Sequence, residues 1–296
     1  MEKRSRFLFV ASFLAPSVLL YSLFVIWPLI QSFQMSAYRW RGLSTNRVFV
    51  GPDNFSKLAS DDVFKQALIN NLWLMLVGGL AIIVIAVAVA HGMQRSTAFT
   101  RFLRGVYLFP QAVSLVVVAI LWMFLYNPSY GVIPSAMNAL HISPPEEGFL
   151  GSSSLALPAV GVAFVWYAVG FYVMLFSAGL NQIPTEVNEA AELDGAKGIA
   201  KFFKVTWPLL WSIKKIAYMY IVINVMNIFA IVLLMTRGGP DRKTETMLTY
   251  LYEQAFTNRQ FGYATAMAIA NLIIALGLAL LLMFLFRKNP EQGKAA

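Results

Sequence analysis

The chain has 296 residues, of which 58% are hydrophobic, and it carries 23 Lys and Arg against 14 Asp and Glu for a formal net charge of +9. Charged residues make up only 12% and the mean hydropathy is +0.65, so the charge is about half of what covers the surface of a soluble globular domain. These values exclude a soluble enzyme, a secreted disulfide scaffold and a nucleic-acid-binding domain; with no cysteine, thiol catalysis and cysteine-based metal sites are excluded as well.

All the charges avoid six stretches, 7–38, 66–94, 105–145, 148–185, 216–236 and 260–286. A helix crossing the ~30 Å hydrocarbon core needs about 20 mostly apolar residues, and each stretch supplies one. Six membrane helices are therefore expected at 7–33, 67–92, 105–126, 155–180, 216–235 and 261–286, giving an all-α, polytopic membrane helix bundle. The first span has the basic start of a signal peptide (Lys3, Arg4, Arg6). Its apolar run is too long and no small-x-small cleavage site follows, so an uncleaved first helix is the better reading.

An even number of spans places both termini on one side. With the termini inside, the inner segments hold Lys3, Arg4, Arg6, Arg95, Arg101, Arg104, Lys197, Lys201, Lys204, Lys214, Lys215, Arg287, Lys288 and Lys294. The outer segments hold fewer basic residues, and segment 127–154 holds none. This bias puts both termini in the cytoplasm. The net positive charge then reads as loops facing anionic lipid rather than nucleic acid. His91 and His141 lie far apart in sequence, so no metal site is expected.

The span interiors lack the acids and bases on which ion-coupled carriers rely. Their polar side chains are neutral: Asn70, Asn71, Gln111, Ser114, Asn224, Asn227 and Asn271. Such residues serve either as hydrogen bonds between helices or as a path for a hydroxyl-rich solute. Uphill transport would need an outside energy source. The pair Asp61-Asp62, the one hint of a membrane enzyme, sits beside Lys57 and Lys65 and reads as a solvated face.

The loop between spans four and five is the most patterned. Pro184-Thr185 starts a helix, with Thr185 as a candidate N-cap, and Glu186 and Glu189 lie in its first turns, where the helix dipole favours acids. Asp194-Gly195 ends it, Gly195 suiting a left-handed cap. A second, amphipathic segment over 197–205 sets Lys197, Lys201 and Lys204 opposite Ile199, Phe202 and Phe203, and Trp207-Pro208 is expected to turn the chain into span five. A helix that pairs Ala190 and Ala191 with a rim of acids looks built to enter a groove in a cytoplasmic partner.

Glu189-Ala190-Ala191, Asp194-Gly195-Ala196 and Val205-Thr206-Trp207-Pro208 resemble the EAA loop of ABC-importer permeases. Val205 and Trp207 depart from the usual Ile and Leu. Thr236-Arg237-Gly238-Gly239-Pro240, Val50-Gly51-Pro52-Asp53-Asn54-Phe55, Phe109-Pro110, Ser114 and Trp122 are similar to segments of the maltose-transporter class. The resemblance implies one transmembrane permease domain over 1–296 with the type I ABC importer permease fold and its EAA coupling loop at about 181–210. It also implies a second permease subunit, two ATP-binding-cassette subunits that use ATP and Mg, an extracytoplasmic solute-binding protein, and residence in the bacterial or archaeal cytoplasmic membrane.

This chain has no Gly-x-x-x-x-Gly-Lys-Ser/Thr of its own, so it is expected to be a transport subunit rather than an enzyme and to bind no cofactor. By the resemblance, Glu189, Ala190, Ala191, Asp194, Gly195 and Ala196 would meet the ATPase. Trp166, Tyr167, Gly170, Asn224 and Asn227 would hold a sugar, with a polyol, glycerol phosphate or an anionic sugar as alternatives. Arg237, Arg242 and Arg259 would face either an anionic solute or the binding protein. An ATP-independent secondary carrier is the other transport reading.

Overall fold

The computed structural model describes residues 2–42, 46–94 and 97–287. Of the basic residues weighed for orientation, Arg95, Lys288 and Lys294 lie outside the described residues. The chain is helical from Glu2 and continues through α1 (Phe9–Ser36), β1 (Tyr38–Trp40), β2 (Arg47–Phe49) and α2 (Asp53–Ser60). Then come α3 (Asp62–Gly92), α4 (Ala98–Ala112), α5 (Leu115–Leu125), α6 (Val132–Ala139), α7 (Ala156–Asn181) and α8 (Thr185–Leu193). The C-terminal part holds α9 (Gly198–Leu209), α10 (Trp211–Met226), α11 (Ala230–Met235), α12 (Met247–Tyr252) and α13 (Phe261–Leu285).

Two compact units result, Met1–Asp61 with Leu251–Leu272 and Asp62–Tyr250 with Ile273–Ala296. In the first, none of the apolar window of α1 is buried, and its Phe and Leu side chains point outward, as they would toward lipid. The strands β1 and β2 form an antiparallel hairpin in register Tyr38↔Phe49, in a segment that reads as loop in the sequence. Asn54, buried at the start of α2, ties helix to hairpin by donating to the carbonyls of Ser36 (2.7 Å) and Tyr38 (3.1 Å).

The second unit is built on α3 and α7, which contribute Ile82, Ile83, Ala86, Val160, Ala163, Val173 and Phe176 to its core. Small residues let the helices close up, as is usual where lipid removes the hydrophobic drive between spans. A Cβ on Gly170 would stand 2.3 Å from the Tyr107 carbonyl of α4, and one on Gly179 would stand 2.5 Å from Ile213 of α10. Asn70 and Asn71 clamp α3 to later segments. Asn70 donates to the carbonyls of Lys243 (3.0 Å) and Glu245 (2.8 Å), while Asn71 donates to Val225 (2.7 Å) and accepts from the Met247 amide (3.0 Å). Here the hydrogen-bonding reading of the membrane asparagines holds, and breaking one such bond to a buried backbone group costs about 1–3 kcal/mol.

Four helices are long and apolar enough to cross a membrane, and two further spans arise if each of two bent pairs counts as one. The expected third span is not continuous. The pair α4–α5 bends by 105°, because Pro110 weakens the end of α4 and Ser114 caps a new helix by accepting from the Val117 amide. The expected fifth span also differs at both ends. It begins earlier, as α10, and stops at Asn227, before the separate short α11. This brings Lys214 into the helix, where it is buried with its ammonium 4.4 Å over Trp207 and 5.3 Å over Trp211. That desolvated cation–π arrangement gives a buried charge a place at the start of the span. Nor does the chain turn at Trp207-Pro208: α9 runs through both, and the 74° bend follows at Leu210.

Candidate functional site

The helix α8 starts one residue earlier than its cap chemistry suggests. Pro184 occupies the N-cap with no side-chain bond, so Thr185 lies inside the helix and does not cap it. At the other end Gly195 takes φ +81°. Its amide bonds the Glu192 carbonyl (3.0 Å) and the Ala196 amide bonds the Ala191 carbonyl (2.9 Å), which is the Schellman arrangement. Lys201 of α9 pairs with Glu192 at 3.0 Å and fastens the two helices of the loop together.

Glu189, Ala190, Asp194 and Gly195 are exposed and Ala196 is half-buried, but Ala191 is buried at 7% and so does not belong to the outward face. The outward face instead carries Leu193, 89% exposed, with Ile199 and Phe203 of α9 also exposed. Leu193 was missed by sequence reasoning. An apolar residue among acids on a short polar helix was the available signal.

The second candidate lies deeper in the same unit. A cavity of about 480 Å³ is lined by Gln111, Phe164, Tyr167, Phe171, Tyr172, Tyr220, Asn224, Asn227 and Phe229 among others. Tyr167, Asn224 and Asn227 thus meet, as the sequence suggested. Trp166 does not join them: it packs on Trp122, ring centroids 5.9 Å apart, and lines a separate apolar groove. Gly170 stays off the cavity too, because its role is the close approach of α7 to α4. Successive residues on a helix are about 100° apart, and of the two neighbours of Tyr167 it is Ala168, not Trp166, that turns to the cavity. The face that Tyr167 does share is Phe164 and Phe171, at helical spacing, and that spacing was the signal missed.

Gln111, in the last turn of α4 just before the bend, donates to the Tyr167 carbonyl at 2.6 Å. Tyr172 and Asn224 both line the cavity, and Asn227 donates to the Ile223 carbonyl at 2.8 Å. Phe171 lies 5.2 Å from both Tyr172 and Tyr220. Aromatic faces and amides line this cavity, and no Asp, Glu, Lys or Arg is among its lining residues.

Sequence reasoning also passed over Glu245. It is 3% exposed, paired with Arg242 at 3.1 Å and bonded by Thr249 at 2.6 Å, in the segment after α11. A lone acid in a polar loop gives no sign of burial. Arg237 and Arg242 flank this segment with positive φ.

Comparison with known proteins places the whole arrangement. A model of the binding-protein-dependent transport system inner membrane component matches residues 78–289. A probable ABC transporter permease protein of Bacillus subtilis, YurN, is 33% identical over 95% of this chain and 96% of its own. A diacetylchitobiose uptake system permease protein of Streptomyces coelicolor, NgcF, is 33% identical over 98% of this chain and 85% of its own. Among solved structures, a chain of a bacterial ABC transporter that imports the acidic polysaccharide alginate aligns over 97% of both chains with a TM-score of 0.81 at 22% identity. The chain therefore belongs to the family of binding-protein-dependent transport system inner membrane components, the permeases of ABC importers.

Proposed function

We propose that the chain forms half of the pore of an ATP-driven importer for a neutral sugar. The observation that carries the solute class is the uncharged cavity. Tyr and Phe rings offer faces to the apolar side of a pyranose, Asn224, Asn227 and Gln111 offer donors and acceptors to hydroxyls, and no lining cation awaits a phosphate or carboxylate. Glycerol phosphate and anionic sugars fit this lining less well than a neutral saccharide does. The diacetylchitobiose permease among its relatives supports the same class.

In this reading α8 and both termini face the cytoplasm, with a second permease completing the pore. Two ATP-binding-cassette subunits, which use ATP and Mg, receive Glu189, Ala190 and Leu193, and a solute-binding protein delivers the sugar on the opposite side. The exposed Leu193 supports the docking. An apolar side chain left 89% in solvent beside acids suits burial in a partner's cleft rather than a free surface.

The absence of native cysteine makes this reading directly testable. Leu193→Cys, carried in cells that express the transporter, should form a short cross-link to one protein that binds ATP. Cross-linking to lipid-phase or outer-face proteins alone would overturn the orientation and the coupling role together.

A further inference from the structure

In the first unit, a cavity of about 860 Å³ is ringed by Arg39, Arg41, Lys57 and Arg259, with Asp53 as the one acid among its lining residues. It lies where α1 ends and α13 begins, at the ends of two helices long and apolar enough to cross a membrane. Arg39 and Arg41 stand at alternate positions of the β1 strand and its continuation, so both side chains leave one face. Arg259 is held at φ +53°, a conformation uncommon for a residue with a Cβ. Lys57 is fixed by Gln260 (3.0 Å) and by the Tyr263 ring (4.1 Å). Among the described residues, Arg39, Arg41 and Arg259 have no carboxylate at ion-pair distance. Converging cations with so little counter-charge repel one another unless an anion sits among them.

An aromatic row runs beside this site. Trp40, which lines the cavity, packs at a tilt against Phe261 (6.0 Å), Phe261 edge-on against Phe256 (5.7 Å) and Phe256 at a tilt against Tyr252 (4.9 Å). Phe256 is 61% exposed. A soluble anion or a protein carboxylate has no use for an exposed aromatic ladder beside its cationic pocket. A phospholipid has an anionic headgroup and an acyl chain, and guanidinium groups bind phosphate in a forked geometry.

We propose that this pocket binds an anionic phospholipid, its phosphate held by Arg39, Arg41 and Arg259 and an acyl chain lying on the Trp40–Phe261–Phe256 ladder. The site shares no lining residue with the solute cavity and none with α8, and it does not depend on which sugar is carried. It would anchor the hairpin and the outer ends of two spans to the bilayer surface.

The test uses the full transporter, delipidated in detergent, and follows its melting temperature while palmitoyl-oleoyl phosphatidylglycerol, the corresponding phosphatidylcholine or sodium phosphate is added. Phosphatidylglycerol should raise the melting temperature, and the other two should not at equal concentration. The variant R39Q/R41Q/R259Q should need on the order of tenfold more phosphatidylglycerol for the same rise. Lysine at the same three positions, which returns the charge without the guanidinium fork, should restore part of the response, which a purely structural role for these side chains would not predict. The single variant Arg259→Gln carries the test should the triple variant fail to fold. Equal phosphatidylglycerol responses in wild type and variants would overturn the proposal. So would a full response to sodium phosphate, which assigns a free-anion site. Unchanged lipid binding with lost stimulation by the solute-binding protein would also overturn it, by assigning a protein-docking surface.

Discussion

Glu189→Lys is expected to abolish solute uptake and solute-stimulated ATP hydrolysis together while leaving the chain inserted and assembled in the membrane. The side chain is exposed, and among the described residues it has no salt-bridge partner, so its reversal disturbs nothing inside the permease. At a docked interface the same change sets a cation where an acid is expected. Breaking a desolvated charge pair costs roughly 2–5 kcal/mol, a loss of at least some thirtyfold in coupling. Stimulated ATP hydrolysis by the reconstituted variant complex is the measurement, and a normal rate would remove α8 from the coupling role.

Gly195→Val tests the same element through its backbone. The space around Gly195 is open, so no clash confuses the result. The left-handed conformation at φ +81° costs a β-branched residue about 1–2 kcal/mol or more. Relaxing it would dissolve the Schellman bonds that fix Ala191 and Glu192, and with them the direction of Leu193. Uptake should fall while the melting temperature of the permease stays near that of the wild type.

The second large effect is expected at the cavity. Replacing Asn224 and Asn227 together by leucine should raise the solute concentration for half-maximal uptake on the order of tenfold or more, because a site built to bond hydroxyls loses two of its polar groups. The maximal rate of ATP hydrolysis and assembly with the ATPase should survive. Some loss of stability is also expected. Tyr172, 2% exposed, lines the cavity with Asn224, and a buried hydroxyl that loses its polar surroundings costs about 1–3 kcal/mol. The bond from Asn227 to the Ile223 carbonyl is exposed and contributes little. Uptake titrations and melting curves on one preparation separate the two effects. A lowered melting temperature with an unchanged half-saturation concentration would assign both amides to packing.

Much of the membrane architecture was legible because lipid leaves an unambiguous signature, long runs without charge. The breaks were not. Pro110 alone is compatible with a kinked or a continuous span; the Ser114 cap starts the new helix, and the bond from Gln111 to the Tyr167 carbonyl of α7 is a tertiary contact with no local trace. Lys214 was read as a loop residue because a lysine near a span end usually is one, and the Trp207 and Trp211 rings beneath its ammonium help make its burial tolerable.

At α8 the acids and the Asp194-Gly195 stop were readable from cap chemistry alone, whereas the inward turn of Ala191 depends on packing. In the cavity, Asn224 and Asn227 lie together as their spacing suggested, but α7 is apolar all round, so its hydropathy could not tell the Tyr167 face from the Trp166 face. The cationic pocket of the first unit was invisible for another reason. Its charges come from segments far apart in sequence, brought together by topology, as Lys57 and Gln260 show.

The most direct test of the whole account is uptake into proteoliposomes that hold this chain, its second permease and the ATPase subunits. Radiolabelled sugar and the solute-binding protein are supplied outside, and ATP is trapped inside. The account predicts accumulation of a neutral saccharide only when internal ATP and the external binding protein are both present, and none when Glu189→Lys replaces the wild-type chain. Accumulation without ATP, or uptake by this chain alone down an ion gradient, would contradict it.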